Sequence, residues 1–309
     1  MRKGILSLLI AALAWSWPSV MIRMLRTDFD IYTQSFFRYA AASIFLFAVG
    51  LIFTRRKIID AAGNLKIFLI PAVIMTINQV FFTAGVVMTS AVISTLMGRM
   101  NAILIPAISC IFYADERRVV GNRHFLLGAL LALIGVMGVI LGREAIAVDG
   151  FNLGTIFIAM GALSWSIYAV YIKRMVHSVD PVALVAFVSL LSTLFFLPVV
   201  LIFGDLHKIV DVSVGTTVLL CVSGILGVGV GNIFYYYAIR HVEISIAAIF
   251  FLLMPLSVGV IAFVVLGETL TRIQVISGAV LVIGCWSVTR LAKKTRSQVT
   301  EQPESARSI

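Results

Sequence analysis

Ten long apolar runs constrain this chain more than any other feature. Each is close to the 20 residues that a helix needs to cross the roughly 30 Å hydrocarbon core of a bilayer. Hydrophobic residues make up 61% of the 309 residues and charged residues 12%, which is more apolar surface than a water-soluble domain can bury. The sequence therefore predicts an all-α polytopic membrane protein. The ten predicted transmembrane helices span about 4–22, 31–53, 66–87, 91–113, 124–142, 152–172, 181–203, 214–239, 244–266 and 272–291.

The basic residues are distributed unequally between the two sets of connecting segments. Seventeen Lys and Arg fall on the side that holds the N-terminus, against five on the other side. Positive residues mark the cytoplasmic side, so we expect a multi-pass protein of the cell (inner) membrane with both termini in the cytoplasm. Topology thus accounts for the net charge of +10, and no nucleic-acid partner is predicted. The polar segment 292–309 is predicted to be a disordered cytoplasmic tail.

Two similar phrases recur in the chain at a separation of 150 residues. "AALAWSWPSVMIRML" begins at residue 11 and "GALSWSIYAVYIKRM" at residue 161, and residues 4–53 match residues 154–203 at 14 of 50 positions. A secretory signal would also explain the first copy, but signals are not repeated in mid-chain. Each repeat holds five helices, and because five is odd the second copy must be inverted. We therefore predict two inverted five-helix repeats, 1–147 and 148–291, a design common in secondary transporters with a substrate site between the halves.

The chain resembles the drug/metabolite transporter superfamily, in its ten-helix EamA-type branch. The resemblance is carried by "ALAWS" and "ALSWS", by "FFRY", by "TSAVISTL…LIP" and by "AIRHVEISIAAIFFLLMP" followed by "LGETLTRIQVISGAVLVIGC". It implies efflux or exchange of small organic solutes, with helices 1–4 and 6–9 around a central cavity and helices 5 and 10 outside it. The first half departs from the pattern, since ten residues separate Pro106 from Glu116 and thirteen separate Pro255 from Glu268.

Two arginines lie inside predicted spans. Arg38 and Arg99 are each about 12 Å from the outer boundary at 1.5 Å per helical residue. An arginine at that depth is costly in lipid and usually faces protein or water. One interpretation is snorkelling or structural pairing. The other is attraction of an anionic substrate group, which is favoured because the deep layer holds no Asp or Glu to pair with them.

Helical spacing refines the orientation of Arg99. Thr95, Arg99, Ala102 and Pro106 share one face, whereas Asn101 lies about 200° from Arg99 on a straight helix. Arginine is the costlier side chain in lipid. We therefore expect the face with Thr95 and Arg99 to point into the cavity and Asn101 to point toward another helix.

Two prolines interrupt the backbone hydrogen bonds of the fourth and ninth helices. Pro106 frees the carbonyl of Ala102, and Pro255 frees that of Phe251. Such carbonyls either bind solute or only mark a bend in the two helices.

Other polar and aromatic residues complete the candidate site. Asn78, Gln79 and Asn232 are amides at membrane depth, which bind solute or join helices. The aromatic residues either line a cavity or pack within the core, and two glycine stripes (Gly128, Gly135 and Gly142; Gly224, Gly227 and Gly231) favour close helix packing. The predicted substrate-binding residues are Trp15, Ser16, Arg38, Asn78, Thr95, Arg99, Trp165, Tyr168, Asn232 and Tyr236.

Catalytic chemistry is not indicated. All four histidines lie in loops or at helix ends, so neither clustered metal ligands nor a nucleophile with its base is expected within the membrane. We predict no enzyme activity, cofactor or metal, and the partners expected are a small-molecule substrate and the lipid bilayer. The predicted function is secondary transport of a small organic solute, above all an amino acid or related carboxylate. The alternatives are a sugar-phosphate or nucleotide-sugar type exchanger and a channel-like facilitator.

Overall fold

Ten helices of membrane-spanning length form the fold in the part of the chain that the structure describes. The computed structural model describes residues 2–89, 91–142, 152–266 and 270–300. The helices are α1 (Arg2–Met24), α2 (Ile31–Phe53), α3 (Lys66–Met88), α4 (Ala91–Gly98 and Asn101–Phe112), α5 (Arg123–Leu141), α6 (Leu153–Met175), α7 (Pro181–Phe203), α8 (Val214–Ile239), α9 (Ile244–Phe250 and Leu253–Leu266) and α10 (Arg272–Thr300).

Length and apolar composition qualify these helices as membrane spans. Nine of them meet both criteria within the described residues, and α1, with 23 residues, is the tenth. The described elements are all helical, and many large apolar side chains point outward, such as Ile44 (72% exposed) and Phe53 (78% exposed). An apolar surface of this extent requires lipid as its solvent. The predicted fold class of an all-α polytopic membrane protein is confirmed.

Local capping chemistry sets several of the helix starts. Asp30 accepts hydrogen bonds from the backbone N–H groups of Tyr32 and Thr33, and Asp180 accepts one from Val182. These aspartates lie 150 residues apart, so the same N-cap opens α2 and α7. At α10, Thr271 and Gln274 form the predicted reciprocal capping box, with N···O distances of 2.9 and 3.2 Å.

The two halves of the chain pack as related, interlocked units. Helix α1 packs on α8, and its counterpart α6 packs on α3, while α2 pairs with α7 and α5 with α10. Equivalent serines make the same bond, since Ser16 donates to Ala12 O at 2.7 Å and Ser166 donates to Ala162 O at 2.8 Å. The fold is thus the predicted pair of inverted five-helix repeats. The predicted repeat boundary at residues 147 and 148 lies outside the described residues.

The glycine stripes lie where helices approach most closely. A Cβ placed on Gly135 would come within 2.5 Å of the backbone nitrogen of Leu281, and one on Gly128 within 3.1 Å of the carbonyl of Gly284. In α8, Gly224 lies against the backbone of Arg38 and Gly231 against the Trp15 indole. These contacts bear out the packing role that the sequence favoured.

Two spans are broken at mid-membrane. Helix α4 is interrupted at Arg99 and Met100, and α9 at Phe251 and Leu252, where i→i+3 hydrogen bonds replace the regular pattern. In α9 the break lies four residues before Pro255, as loss of a backbone donor predicts. In α4 it lies well before Pro106, which is accommodated inside the second segment. Non-helical backbone at this depth is tolerated where it faces a cavity.

The predicted tail, residues 292–309, is described as far as Thr300. Helix α10 continues through Thr300, because residues 291–300 contain good helix formers and neither Gly nor Pro. Residues 301–309 of the predicted tail lie outside the described residues.

Candidate functional site

A cavity of about 250 Å³ lies between the two repeats. It begins near the middle of the bundle and extends toward the side at which α1 ends. Among the described residues, seven helices contribute to it, α1–α4, α6, α8 and α9, whereas α5, α7 and α10 contribute none. The absence of α7 from the lining differs from the expectation that helices 6–9 all surround the cavity. Its lining residues are Trp15, Pro18, Ile22, Arg38, Tyr39, Met75, Asn78, Gln79, Phe82, Gly98, Arg99, Asn101, Ala102, Gly161, Ala162, Trp165, Gly227, Val228, Asn232, Ala248, Phe251, Leu252 and Met254.

Arg99 lies at the break in α4 and reaches the break in α9. Its Nη1 donates to the carbonyl oxygen of Phe251 at 3.0 Å, and its Nε donates to that of Thr95 at 3.4 Å. The Phe251 carbonyl is the one that Pro255 frees. An arginine has five N–H donors, so these bonds leave donors for a ligand. The two broken helices are therefore joined by the guanidinium that also lines the cavity.

Arg38 lines the same cavity from α2. Its Nε is buried and has no hydrogen-bond acceptor among the described residues. Its terminal Nη2 lies beside Gly227, where an added Cβ would come within 3.2 Å. No Asp or Glu lines the cavity within the described part of the chain. Two cationic groups thus face one space whose described walls offer no counter-charge.

The two tryptophans of the sequence repeat meet at the centre of the site. The rings of Trp15 and Trp165 are 6.1 Å apart in an edge-to-face arrangement, and Trp15 lies 4.9 Å from Phe251. The Trp15 indole N–H donates to Gly227 O at 2.9 Å. That bond fixes the indole against α8. An apolar, aromatic wall therefore lies beside the cationic groups, which suits a small organic solute.

Three asparagines line the cavity in different ways. Asn78 donates to Gly161 O at 2.7 Å and so joins α3 to α6. Asn232 donates to Val228 O at 3.0 Å, while its Oδ1 is buried without a partner among the described residues. Asn101 accepts from the Ser166 hydroxyl at 3.2 Å and also borders the cavity.

The position of Asn101 corrects one expectation. A straight α4 would turn Asn101 away from a cavity that Arg99 faces, but both residues line it. The reason is the break at Arg99 and Met100, which changes the helical phase between the two side chains. Asn101 contacts another helix as expected, through Ser166 of α6, but the expectation that only Arg99 faces the cavity is wrong.

Aromatic residues and a buried ion pair close the side at which α1 begins. Tyr168 and Tyr236 are fully buried and are hydrogen-bonded to each other through their hydroxyls. Farther along α6, Lys173 contacts Glu116 at 2.6 Å and Asp115 at 2.7 Å. The Glu116 side chain is 0% exposed.

Glu116 also holds the start of α9. Its carboxylate accepts the backbone N–H of Ile244 at 2.7 Å and that of Ser245 at 3.1 Å. The segment after α4, the end of α6 and the beginning of α9 are therefore joined at one buried point. This contact links the two repeats on the side away from the cavity.

The predicted binding residues divide into two groups. Six of the ten line the cavity, and the other four are not among its lining residues. Ser16 donates to Ala12 O, the backbone carbonyl of Thr95 accepts from Arg99 Nε, and Tyr168 and Tyr236 form the buried pair described above. The six lining residues are Trp15, Arg38, Asn78, Arg99, Trp165 and Asn232.

Sequence reasoning missed other residues of the site. The carbonyl of Phe251 was identified through Pro255, but the ring of Phe251, which lies 4.9 Å from that of Trp15, was not. Three further residues line the cavity, but no local sequence pattern distinguishes them from residues that only pack between helices. These are Tyr39, Phe82 and Gly227. The burial of Glu116 against Lys173 also depends on tertiary contacts that no local pattern encodes.

Comparisons with known proteins agree with this architecture. The EamA-like transporter family model matches residues 2–141 and 152–290. An uncharacterized transporter of Haemophilus influenzae is 27% identical over 86% of this chain and 90% of its own length. Another uncharacterized transporter, from Archaeoglobus fulgidus, is 24% identical over 93% of this chain and 97% of its own length.

A solved crystal structure shares the fold. It superposes with a TM-score of 0.76 at 17% identity and covers 93% of this chain and 97% of that chain. At that identity the likeness concerns the fold alone, whereas the family match spans both repeats. The chain, a multi-pass membrane protein built from two inverted repeats around a central cavity, belongs to the EamA-like transporter family.

Proposed function

We propose that this chain is a secondary transporter that carries a small organic anion, such as an amino acid or related carboxylate, by alternating access. The observation that carries the proposal is the pair of arginines, Arg38 and Arg99, in one cavity whose described lining includes no acidic residue. A carboxylate or phosphate is the group that a guanidinium binds best, through two parallel hydrogen bonds.

The size of the cavity favours a small solute. The cavity measures about 250 Å³. Small-molecule sites span roughly 300–1,000 Å³, so a cavity of this size suits a short-chain carboxylate or a small phosphorylated sugar better than a nucleotide-linked sugar. The buried layers between the cavity and the amino-terminal side favour a carrier over a channel-like facilitator, because a channel needs a continuous path.

Counterflow in liposomes tests the proposal. Purified protein in vesicles preloaded with an unlabelled carboxylate is expected to take up the radiolabelled form by saturable, trans-stimulated uptake, and empty vesicles are the control. A flux that rises linearly with concentration and ignores the preload would indicate a facilitator. Absence of transport for every carboxylate, with uptake of phosphorylated sugars, would favour the second candidate class.

We further propose that both termini are cytoplasmic, which the distribution of Lys and Arg supports. An alkaline phosphatase fused after the C-terminus is expected to be inactive, and a fluorescent protein fused there is expected to fluoresce. Phosphatase fused after Leu206, between α7 and α8, is the matched control and is expected to be active. The reverse pattern would contradict this orientation.

A further inference from the structure

A short helix joins α2 to α3 on the side at which α1 begins. This connecting helix spans Arg55–Ala62, and α3 follows it at Lys66. The end of α2 just before it carries two exposed apolar side chains, Ile52 (74% exposed) and Phe53 (78% exposed). Large apolar side chains exposed at the end of a membrane span face lipid. The connecting helix therefore begins within one turn of the bilayer surface.

One face of the connecting helix attaches it to the protein. Lys57 Nζ lies 2.7 Å from Asp180 Oδ2 at the start of α7. The next residue, Ile58, is buried against Gly50 of α2, where an added Cβ would come within 2.7 Å of Ile58 Cδ1. The helix is thus held against α2 and α7 by an ion pair and an apolar contact, and its opposite face points away from the bundle.

The opposite face combines two cations with a large apolar side chain. Arg55 and Arg56 precede Ile59 by four and three positions, so the two arginines flank Ile59 on the helix surface. All three residues are exposed, Ile59 by 55%. Such a face is typical of a helix that lies in the membrane interface, with its apolar side chain toward the acyl chains and its cations among the headgroups.

The charge of this surface is strongly positive. Residues 54–66 contain four basic side chains and one acidic side chain, Asp60. Lys57 is paired with Asp180, but neither Arg55 nor Arg56 has an ion-pair partner among the described residues. The complementary charge at a membrane surface is that of anionic phospholipids, which attract basic residues close to the bilayer.

We propose that Arg55 and Arg56 bind the headgroup of an anionic phospholipid, such as phosphatidylglycerol, whose acyl chain contacts Ile59. A guanidinium binds a phosphate through two parallel hydrogen bonds. This inference goes beyond the proposed function, because it does not depend on the solute that is transported. An acidic soluble protein would satisfy the arginines but would not account for the apolar side chain between them.

Two phospholipids with the same acyl chains test the site. The purified full chain is titrated in detergent micelles with phosphatidylglycerol and with phosphatidylcholine, and bound lipid is counted by native mass spectrometry. The first phosphatidylglycerol is expected to bind about thirtyfold more tightly than phosphatidylcholine, as two cations near a surface imply. Equal affinity for the two lipids in the wild type would overturn the inference.

Variants assign the preference to the two arginines. Arg56→Gln is expected to weaken phosphatidylglycerol binding about fivefold, and the double variant Arg55→Gln/Arg56→Gln about thirtyfold, with phosphatidylcholine binding unchanged. Arg55→Lys/Arg56→Lys keeps both charges and is expected to retain most of the preference. A preference that survives in the double glutamine variant would overturn the inference.

Arg272→Gln is the matched control. Arg272 is also an exposed arginine at the end of a span, but it lies on the opposite side of the bundle, and the nearest basic residues in sequence are Arg240 and Arg290. The substitution changes the net charge by the same amount as Arg56→Gln and is expected to leave the affinity for both lipids unchanged. An equal loss in the two variants would show that net charge alone attracts the lipid, and the inference would fail.

Inorganic phosphate separates a lipid site from a site for a free anion. At a concentration equal to that of the lipid, phosphate is expected to leave phosphatidylglycerol bound, because it makes no contact with Ile59. Displacement of the lipid under those conditions would overturn the inference. Thermal unfolding in the same detergent is expected to be unchanged in every variant, since the substituted side chains are exposed.

Discussion

Lys173→Met is expected to lower the free energy of unfolding by about 3–5 kcal/mol, the usual cost of leaving a buried charge without its partner. Lys173 is 7% exposed and Glu116 is 0% exposed, so water cannot replace the lost contact. Methionine preserves the length of the side-chain stem, which limits the effect to the loss of charge. The measurement is reversible unfolding of the purified variant and wild type in mixed detergent micelles.

Asp115→Asn provides the matched control. Asp115 contacts the same lysine at 2.7 Å, but its side chain is 57% exposed, so we expect a loss of less than about 1 kcal/mol. Lys173→Met removes the partner of the buried Glu116, whereas Asp115→Asn leaves the contact between Lys173 and Glu116 in place. A negligible change in Lys173→Met would show that the donors at the start of α9, two backbone N–H groups and the Ser245 hydroxyl, stabilise Glu116 without Lys173. Equal destabilisation by both variants would contradict the argument from burial.

The same contact bears on the alternating access proposed above. Glu116, Lys173 and the start of α9 belong to elements of both repeats, and they meet on the side away from the cavity. Opening that side requires the carboxylate and ammonium to separate and to be hydrated together. A buried pair that parts into water loses its mutual attraction but regains solvation. Such a contact therefore suits a gate whose closed and open states differ little in free energy.

Much of the fold was predictable because its determinants are local. Bilayer thickness sets the length of each apolar run, and side chains such as Asp30, Asp180 and Thr271 cap helices through neighbours within three residues. The repeat was visible because Trp15 and Trp165 occupy the pseudosymmetric centre, where both copies need the same residue. These features require no knowledge of distant contacts.

The remaining features depend on tertiary contacts. The break in α4 precedes Pro106 by several residues, and Arg99 there reaches a carbonyl 152 residues away in sequence. The orientation of the Asn101 side chain was predicted wrongly because it depends on that break in α4. In the sequence, Glu116 lies in a charged segment that would be expected at the surface. It is buried because α6 and α9 pack against it in the folded protein.

Arg99→Gln is expected to weaken substrate binding about ten- to hundredfold, because a hydrogen bond to a charged group contributes roughly 1.5–3 kcal/mol. Arg99 lines the cavity while two of its nitrogens bond to Thr95 and Phe251, which hold the guanidinium in a fixed position. That arrangement reduces the entropy lost on binding. The measurement is the dissociation constant of the purified protein for a carboxylate that the wild type exchanges in the counterflow experiment.

Arg118→Gln is the control for this substitution, since it makes the same chemical change at an exposed position outside the spans. It is expected to leave the affinity unchanged. Arg99→Lys keeps the charge but loses the planar fork, so partial recovery would indicate charge attraction and no recovery would indicate two-point geometry. Unchanged affinity in Arg99→Gln would assign Arg99 to joining the breaks in α4 and α9 and leave Arg38 as the anion-binding residue.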